Sequence, residues 1–259
     1  MIEKNIFQTW KSKSALPANF SYWRNTVVDL NREFRQFFWD DADNRAFIAG
    51  HYPWFLETYD RYPLEIYRAD AVRYFWLYHF GGIYADMDTE CLRPLSDFCA
   101  AHSGVVLGRM GDDDSFLHSI PNAVMASTAR HPFWLYVIHR LMSPRSTGTN
   151  PEDLTGSIML KSAVDAYLND GDARNVSDAI ESIRQLLPAE LHPQADSTRI
   201  SILPSNVFFP VNWANPVHEK FFRKRIIEQG NLLSREKVRS LFPDSALVTY
   251  WAHSWAYPS

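Results

Sequence analysis

Short apolar runs alternate along the chain with longer stretches in which apolar residues recur every three to four positions. The runs predict strands and the periodic stretches predict helices. Asn5–Thr9 (NIFQT) reads as the first strand, a helix follows over Phe20–Leu30, and Phe34–Trp39 is a second strand. The acids of DDADN then start a helix over Ala42–His51, and another helix begins near Pro53. The strongest helical signal covers Pro63–Phe80, with Pro63 suited to its first turn and Gly81-Gly82 to its end. A buried strand over Ile83–Asp86 comes next, and GVVLGRM and NAVMAS supply two more strands. Helices are predicted over Pro132–Met142, Ser157–Leu168 and Val217–Gln229, and strands in TRISILP and ALVTYW. Strands alternating with helices predict an α/β sandwich around a mainly parallel sheet. Without an internal repeat, low-complexity tract or long linker, residues 1–259 read as one domain.

Composition narrows the function. At 46% hydrophobic residues the chain can bury a sizeable core, and a formal net charge of −4 argues against a nucleic-acid binder. The basic run at Phe221–Arg225 reads as a solvated helix face. Cys91 and Cys99 form no disulfide framework and no metal-site spacing, which suits a reducing compartment. No apolar stretch is long enough to span a membrane and MIEKNIFQTWK lacks a signal-peptide core, so the expectation is a cytoplasmic protein. Peripheral membrane association or secretion as an effector is left open.

The candidate chemistry lies in YHFGGIYADMDTE. On a strand, residues two apart project to the same side, so Asp86 and Asp88 are expected to face one way and Met87 the other. Two carboxylates so close repel each other when buried, and a divalent cation bound by oxygen removes the conflict. The bland alternative is a solvated turn. The preceding helix is apolar on nearly every face yet carries Arg68, Asp70 and Arg73, with Asp70 and Arg73 sharing a face. Those two are either a self-satisfied internal ion pair or a carboxylate and guanidinium delivered beside the metal. Asp112, Asp113 and Asp114 read as a solvated loop, with the acceptor side as the alternative.

The run RADAVRYFWLYHFGGIYADMDTECLRPL resembles the core of glycosyltransferase family 32, and is similar to the sugar-binding core of the large glucosylating toxins. IFQTWKS resembles the family's first strand, with Phe7 in place of the usual His, and FFWDDAD its second. NAVMASTARHPFW, LTGSIML, ILPSNVFFP and TYWAHSW resemble later blocks. The resemblance implies a GT-A fold and a retaining transferase that moves a hexose from a UDP- or GDP-sugar donor. The acceptor would be a carbohydrate, lipid-linked or protein hydroxyl. It implies Mn²⁺, with Mg²⁺ as the alternative. Asp86 would lie near the ribose and metal, Asp88 would ligate the metal, and Asp70 with Arg73 would hold the donor's sugar. Phe7, Gln8, Thr9 and Tyr84 would border the base or ribose. Thr249 stands where a His is common, so His253 and Ser254 are the candidates to complete the metal site, and Trp255 would close with them over the donor.

Two rivals use the same residues. A haloacid-dehalogenase phosphatase also places Asp-x-Asp after a buried strand, but Glu90 stands where Thr or Val is usual. A non-catalytic sugar-binding protein on a transferase fold would be expected to have lost Asp70, Arg73, Asp86 or Asp88, and all four are present.

Overall fold

The computed structural model describes residues 1–14, 16–142, 150–193, 199–228 and 230–252. Eight strands are described: β1 (Asn5–Thr9), β2 (Arg35–Trp39), β3 (Gly82–Ala85), β4 (Thr89–Cys91), β5 (Val105–Gly108), β6 (Val124–Ser127), β7 (Ile200–Leu203) and β8 (Leu247–Thr249). Six of them form one sheet in the order β2-β1-β3-β6-β5-β7. β1 pairs parallel with β2 and β3, β5 pairs parallel with β7, and β6 alone runs against its neighbours. The sheet is therefore mainly parallel, as the alternation of strands and helices predicts. β4 and β8 form a separate antiparallel ribbon.

Both faces of the sheet are covered. On one, Phe7, Tyr84, Leu107 and Met125 pack against the helices Glu65–Phe80, Pro132–Met142 and Ser157–Leu168. On the other, Ile6, Ile83, Val106 and Ala126 pack against the helix Ala18–Leu30 and the C-terminal segments. Alternate residues of each strand feed opposite cores, which makes the α/β/α sandwich expected of the GT-A type.

Local boundaries follow cap chemistry. The helix after β2 starts at Asp41 because Asp40 and Asp43 form a reciprocal capping box. The helix expected from Pro63 begins at Glu65, because Leu64 is held extended at φ −134°, ψ 154°. It ends where Gly81 takes φ +62° and Gly82 φ +113°, a reversal that L-residues rarely adopt. A Cβ on Gly82 would collide with the Asn5 carbonyl of β1. This double glycine turns the chain from the helix directly into β3, so the helix N-terminus and the C-terminal end of β3 share one edge of the sheet. The helix Ala173–Arg184, not among the predicted elements, buries Val176, Ala179 and Ile183.

Candidate active site

The carboxyl ends of β1, β2 and β3 open into a cavity of about 490 Å³. In open α/β sheets that edge is where ligands bind. Asp86 and Asp88 do not lie on the strand as the sequence pattern suggests. β3 ends at Ala85, and Asp86-Met87-Asp88 forms a turn closed by a Thr89 N–H donated to the Asp86 carbonyl at 3.1 Å. Both carboxylates still line the cavity, and Met87 between them lines it as well while packing into the hydrophobic core. The turn replaces strand alternation as the reason they converge.

Arg73 anchors the floor. It is 4% exposed, and its guanidinium lies 2.9 Å from Asp70, 3.2 Å from Asp86 and 2.9 Å from the Asn122 carbonyl. It also stacks over the Tyr84 ring at 4.4 Å, and the Tyr84 hydroxyl donates to the same Asp86 oxygen. Asp70, 6% exposed, accepts from Asn122 Nδ2 at 3.0 Å and Thr155 Oγ1 at 3.1 Å. Asp70 and Arg73 therefore do pair, but the pair sits in the cavity wall rather than sealed in the core.

Asp88 is held by the far end of the chain. β8 pairs with β4, Tyr250 N–H donates to the Asp88 carbonyl at 3.0 Å, and Ala252 N–H donates to Asp88 Oδ2 at 2.6 Å. The approach depends on Trp251, which adopts φ +56°, uncommon for a bulky residue, and lines the cavity. Its indole N–H donates to the Val211 carbonyl at 2.6 Å, which fixes the turn that aims the Ala252 amide. Backbone strain of this kind gathers at functional sites.

The electrostatics are unbalanced. Among the described residues that line the cavity, the carboxylates Asp41, Glu65, Asp70, Asp86, Asp88 and Glu152 outnumber the cations Lys11 and Arg73, so the site is short of positive charge. Burial pushes the Asp70 carboxyl up to about 6 despite the pull of Arg73, and the Asp86 charge adds to the rise. Burial raises Asp86 as well, against the lowering effects of Arg73 and Tyr84. Asp88 is raised by burial first and by the Asp86 charge second, with the Ala252 amide opposing. A divalent cation suits this set, because it would supply the missing charge to hard oxygen ligands. Among the described residues no group of three or more His, Cys, Asp or Glu gathers as a ready metal cluster, so remaining positions would fall to water or substrate.

The other expected residues divide. Thr9 and Tyr84 line the cavity. Phe7 and Gln8 do not, and this corrects the expectation that they border a base or ribose. Phe7 is fully buried and stacks on Phe37 at 4.5 Å and Trp76 at 5.6 Å, and Gln8 is 2% exposed. A central strand covered on both faces buries both parities of residue, so only its last position reaches the ligand edge. His253, Ser254 and Trp255 lie outside the described residues. Asp112, Asp113 and Asp114 are exposed and away from the cavity, with Asp114 paired to Arg109, as a solvated loop predicts. Asn122, Thr155 and the Ala252 amide were missed as site groups. They fall in the quoted NAVMAS, LTGSIML and TYWAHSW segments, whose resemblance was the available signal.

Residues 17–105 match the family described as the glycosyltransferase sugar-binding region containing a DXD motif. That span includes the Asp70–Arg73 pair and Asp86-Met87-Asp88. This stretch is thus similar to the DXD-containing sugar-binding regions of glycosyltransferases. Around this region the chain is 40% identical over 140 residues to inositol phosphoceramide mannosyltransferase 3 of Schizosaccharomyces pombe, covering 54% of this chain and 37% of that protein. It is 27% identical over 179 residues to an uncharacterized glycosyltransferase of Acanthamoeba polyphaga mimivirus, covering 68% of this chain and 70% of that one. A solved glycosyltransferase, PaToxG, superposes with a TM-score of 0.45 at 15% identity over 75% of this chain and 81% of its own. The chain spans less than two-fifths of the length of the fungal mannosyltransferase it matches. Among the described residues no helix is long and apolar enough to cross a membrane.

Proposed function

We propose that the chain is a retaining, metal-dependent hexosyltransferase that moves a sugar from a UDP- or GDP-sugar to a hydroxyl acceptor. The acceptor would be a glycan, a lipid-linked sugar or a protein. The observation that carries this reading is that Asp70 and Asp86, both paired with Arg73, line one cavity with Asp88 at the sheet's carboxyl edge, in a stretch similar to DXD sugar-binding regions. Asp88 would ligate the metal directly, and Asp86 would lie between the metal and the ribose. A bound Mn²⁺ or Mg²⁺ would neutralise the charge that grows on the leaving diphosphate. The names of the fungal relatives make mannose the first sugar to test.

The protein groups have separable tasks. Arg73 is pinned by Asp70, Asp86 and the Asn122 carbonyl, so it presents a fixed positive charge that needs no rearrangement during reaction. Asp70 lines the cavity and would fix sugar hydroxyls. Asp70 is committed to Arg73, Asn122 and Thr155, which does not suit a nucleophile, so same-face displacement assisted by the leaving phosphate is the proposed route. Residues 1–259 would act as one unit, since the Asp88 carboxylate is held by the Ala252 amide. Hydrolysis of UDP- and GDP-hexoses with Mn²⁺, followed by analysis of the anomeric product, tests the reading. Turnover that is undiminished in excess chelator, or an inverted product, contradicts it. A phosphatase would instead release phosphate from an aryl phosphate with no sugar requirement.

A further inference from the structure

One buried carboxylate next to the site has no task in the transferase reading. Glu90 stands in β4, two residues after Asp88, is 1% exposed, and is not among the residues that line the cavity. Its Oε2 accepts a 2.6 Å hydrogen bond from the Tyr250 hydroxyl. Its Oε1 is buried without a hydrogen-bond partner of normal geometry among the described residues, although the Tyr22 phenol stands near. A buried acid with an oxygen left over is costly, and packing alone would be served better by an apolar side chain. Such a group calls for a reason.

Tyr250 is the residue through which the far end of the chain reaches Asp88. Its N–H donates to the Asp88 carbonyl at 3.0 Å, and two residues on the Ala252 N–H donates to Asp88 Oδ2. Only three residue pairs join β4 to β8: Thr89 with Thr249, Glu90 with Val248 and Cys91 with Leu247. A two-stranded ribbon is marginal by itself, and its register has to be fixed by side-chain pairs. Tyr250 extends the ladder opposite Asp88, which makes Glu90 its diagonal neighbour across the strands. The Tyr250 ring also stacks on Trp23 of the helix Ala18–Leu30, with centroids 4.8 Å apart. Trp23 thus holds the ring by its face and Glu90 holds it by its tip. The chain that leaves this clamp enters the φ +56° turn at Trp251 and arrives at Ala252. The Thr89 and Thr249 hydroxyls, 3.2 Å apart, add a second tie between the strands.

We propose that Glu90 is a positioning residue: by holding the Tyr250 hydroxyl it fixes the register of β8 on β4, so that the Ala252 amide meets Asp88 and the Asp88 carboxylate keeps one orientation toward the cation. This deepens the cation reading of the site and rests on it. Glu90 lies outside the cavity wall, so it acts through Tyr250 and not on the cation.

Two measurements on the full chain test this. In the metal-free protein the Ala252 amide should exchange its hydrogen about tenfold faster in Tyr250→Phe, which removes only the hydroxyl, and in Glu90→Ala. Calorimetric titration with Mn²⁺, alone and with GDP present, should show the Kd for Mn²⁺ raised about tenfold in both variants. The double variant should be no worse than Glu90→Ala, because either change removes the same contact. Glu90→Gln keeps an acceptor for the hydroxyl and should restore most of both values. Ile138→Val, in the core on the other face of the sheet, should lower Tm and move neither. Wild-type exchange and wild-type Mn²⁺ affinity in Tyr250→Phe and Glu90→Ala, with only Tm lowered, reduce Glu90 to a packing residue and overturn the proposal. Glu90→Gln as impaired as Glu90→Ala also overturns it, because charge and not the hydrogen bond would then carry the effect. A wild-type protein that binds no Mn²⁺, with or without GDP, defeats the cation reading, and the positioning role falls with it whatever the Ala252 amide does.

Discussion

Replacing Asp70 with asparagine separates a residue kept for function from one kept for packing. Burial raises the Asp70 carboxyl to about 6, so at neutral pH its ionised form costs the folded state about 3 kcal/mol relative to the unfolded chain. An asparagine there would carry no charge and escape that cost. Against this, one amide hydrogen would face the Asn122 or Thr155 donor that now bonds a carboxylate oxygen, and a mismatched bond costs about 1 kcal/mol. The metal-free Asp70→Asn protein should therefore be more stable than wild type by about 1–2 kcal/mol at pH 7.5, a rise in Tm of roughly 2–6 °C for a chain of this size. The sign depends on pH. A carboxyl raised in the folded state makes wild type gain stability as pH falls through about 6, so the advantage of Asp70→Asn should vanish near pH 4.5. Donor turnover should meanwhile drop at least about tenfold, which is about 1.4 kcal/mol of barrier. Thermal melts at both pH values, beside a hydrolysis assay, read all three quantities. A Tm that falls at pH 7.5 would show Asp70 to be a structural partner of Arg73, and the functional assignment would fail.

Other outcomes follow from the same geometry. Asp88→Ala should leave the empty protein folded while abolishing the stabilisation conferred by Mn²⁺ with a nucleotide diphosphate; a retained thermal shift would remove Asp88 from the metal site. Phe7→His should cost about 3–5 kcal/mol because the imidazole enters a stacked, fully buried site. An unchanged Tm together with altered nucleotide affinity would return Phe7 to the ligand. Because Asp86 and Asp88 are both raised, cation binding should release protons and weaken as pH falls, starting well above the ordinary carboxylate range. Calorimetry at pH 6.5 in two buffers of different ionisation enthalpy measures the release, and none would contradict the assignment.

Much of the architecture was legible because local signals agreed. Asn5–Thr9, Pro132–Met142 and Ser157–Leu168 are found with the expected bounds. The Gly81-Gly82 reversal announced the helix end and the strand behind it. What periodicity cannot carry is direction and distant pairing. Nothing in Val124–Ser127 marks β6 as the reversed strand, and the β4–β8 ribbon joins residues far apart in the chain, Thr89 to Thr249 and Cys91 to Leu247. The Asp86–Asp88 turn was misread as strand because the apolar run gives no stop before Asp86. Phe7 and Gln8 were misplaced because a strand buried on both faces looks the same at every position. The helix Ala173–Arg184 carries an apolar stripe in Val176, Ala179, Ile180 and Ile183 that is legible in the sequence.

The central claim is that the Asp70–Arg73–Asp86–Asp88 floor holds a cation and a nucleotide diphosphate together. Isothermal titration of GDP and UDP into the protein measures this directly, with Mn²⁺ and again with excess chelator, for wild type and Asp88→Ala. Binding of at least one nucleotide that requires Mn²⁺ and is lost in Asp88→Ala is the predicted result. Binding of equal affinity in chelator, or in Asp88→Ala with Mn²⁺, would contradict the claim.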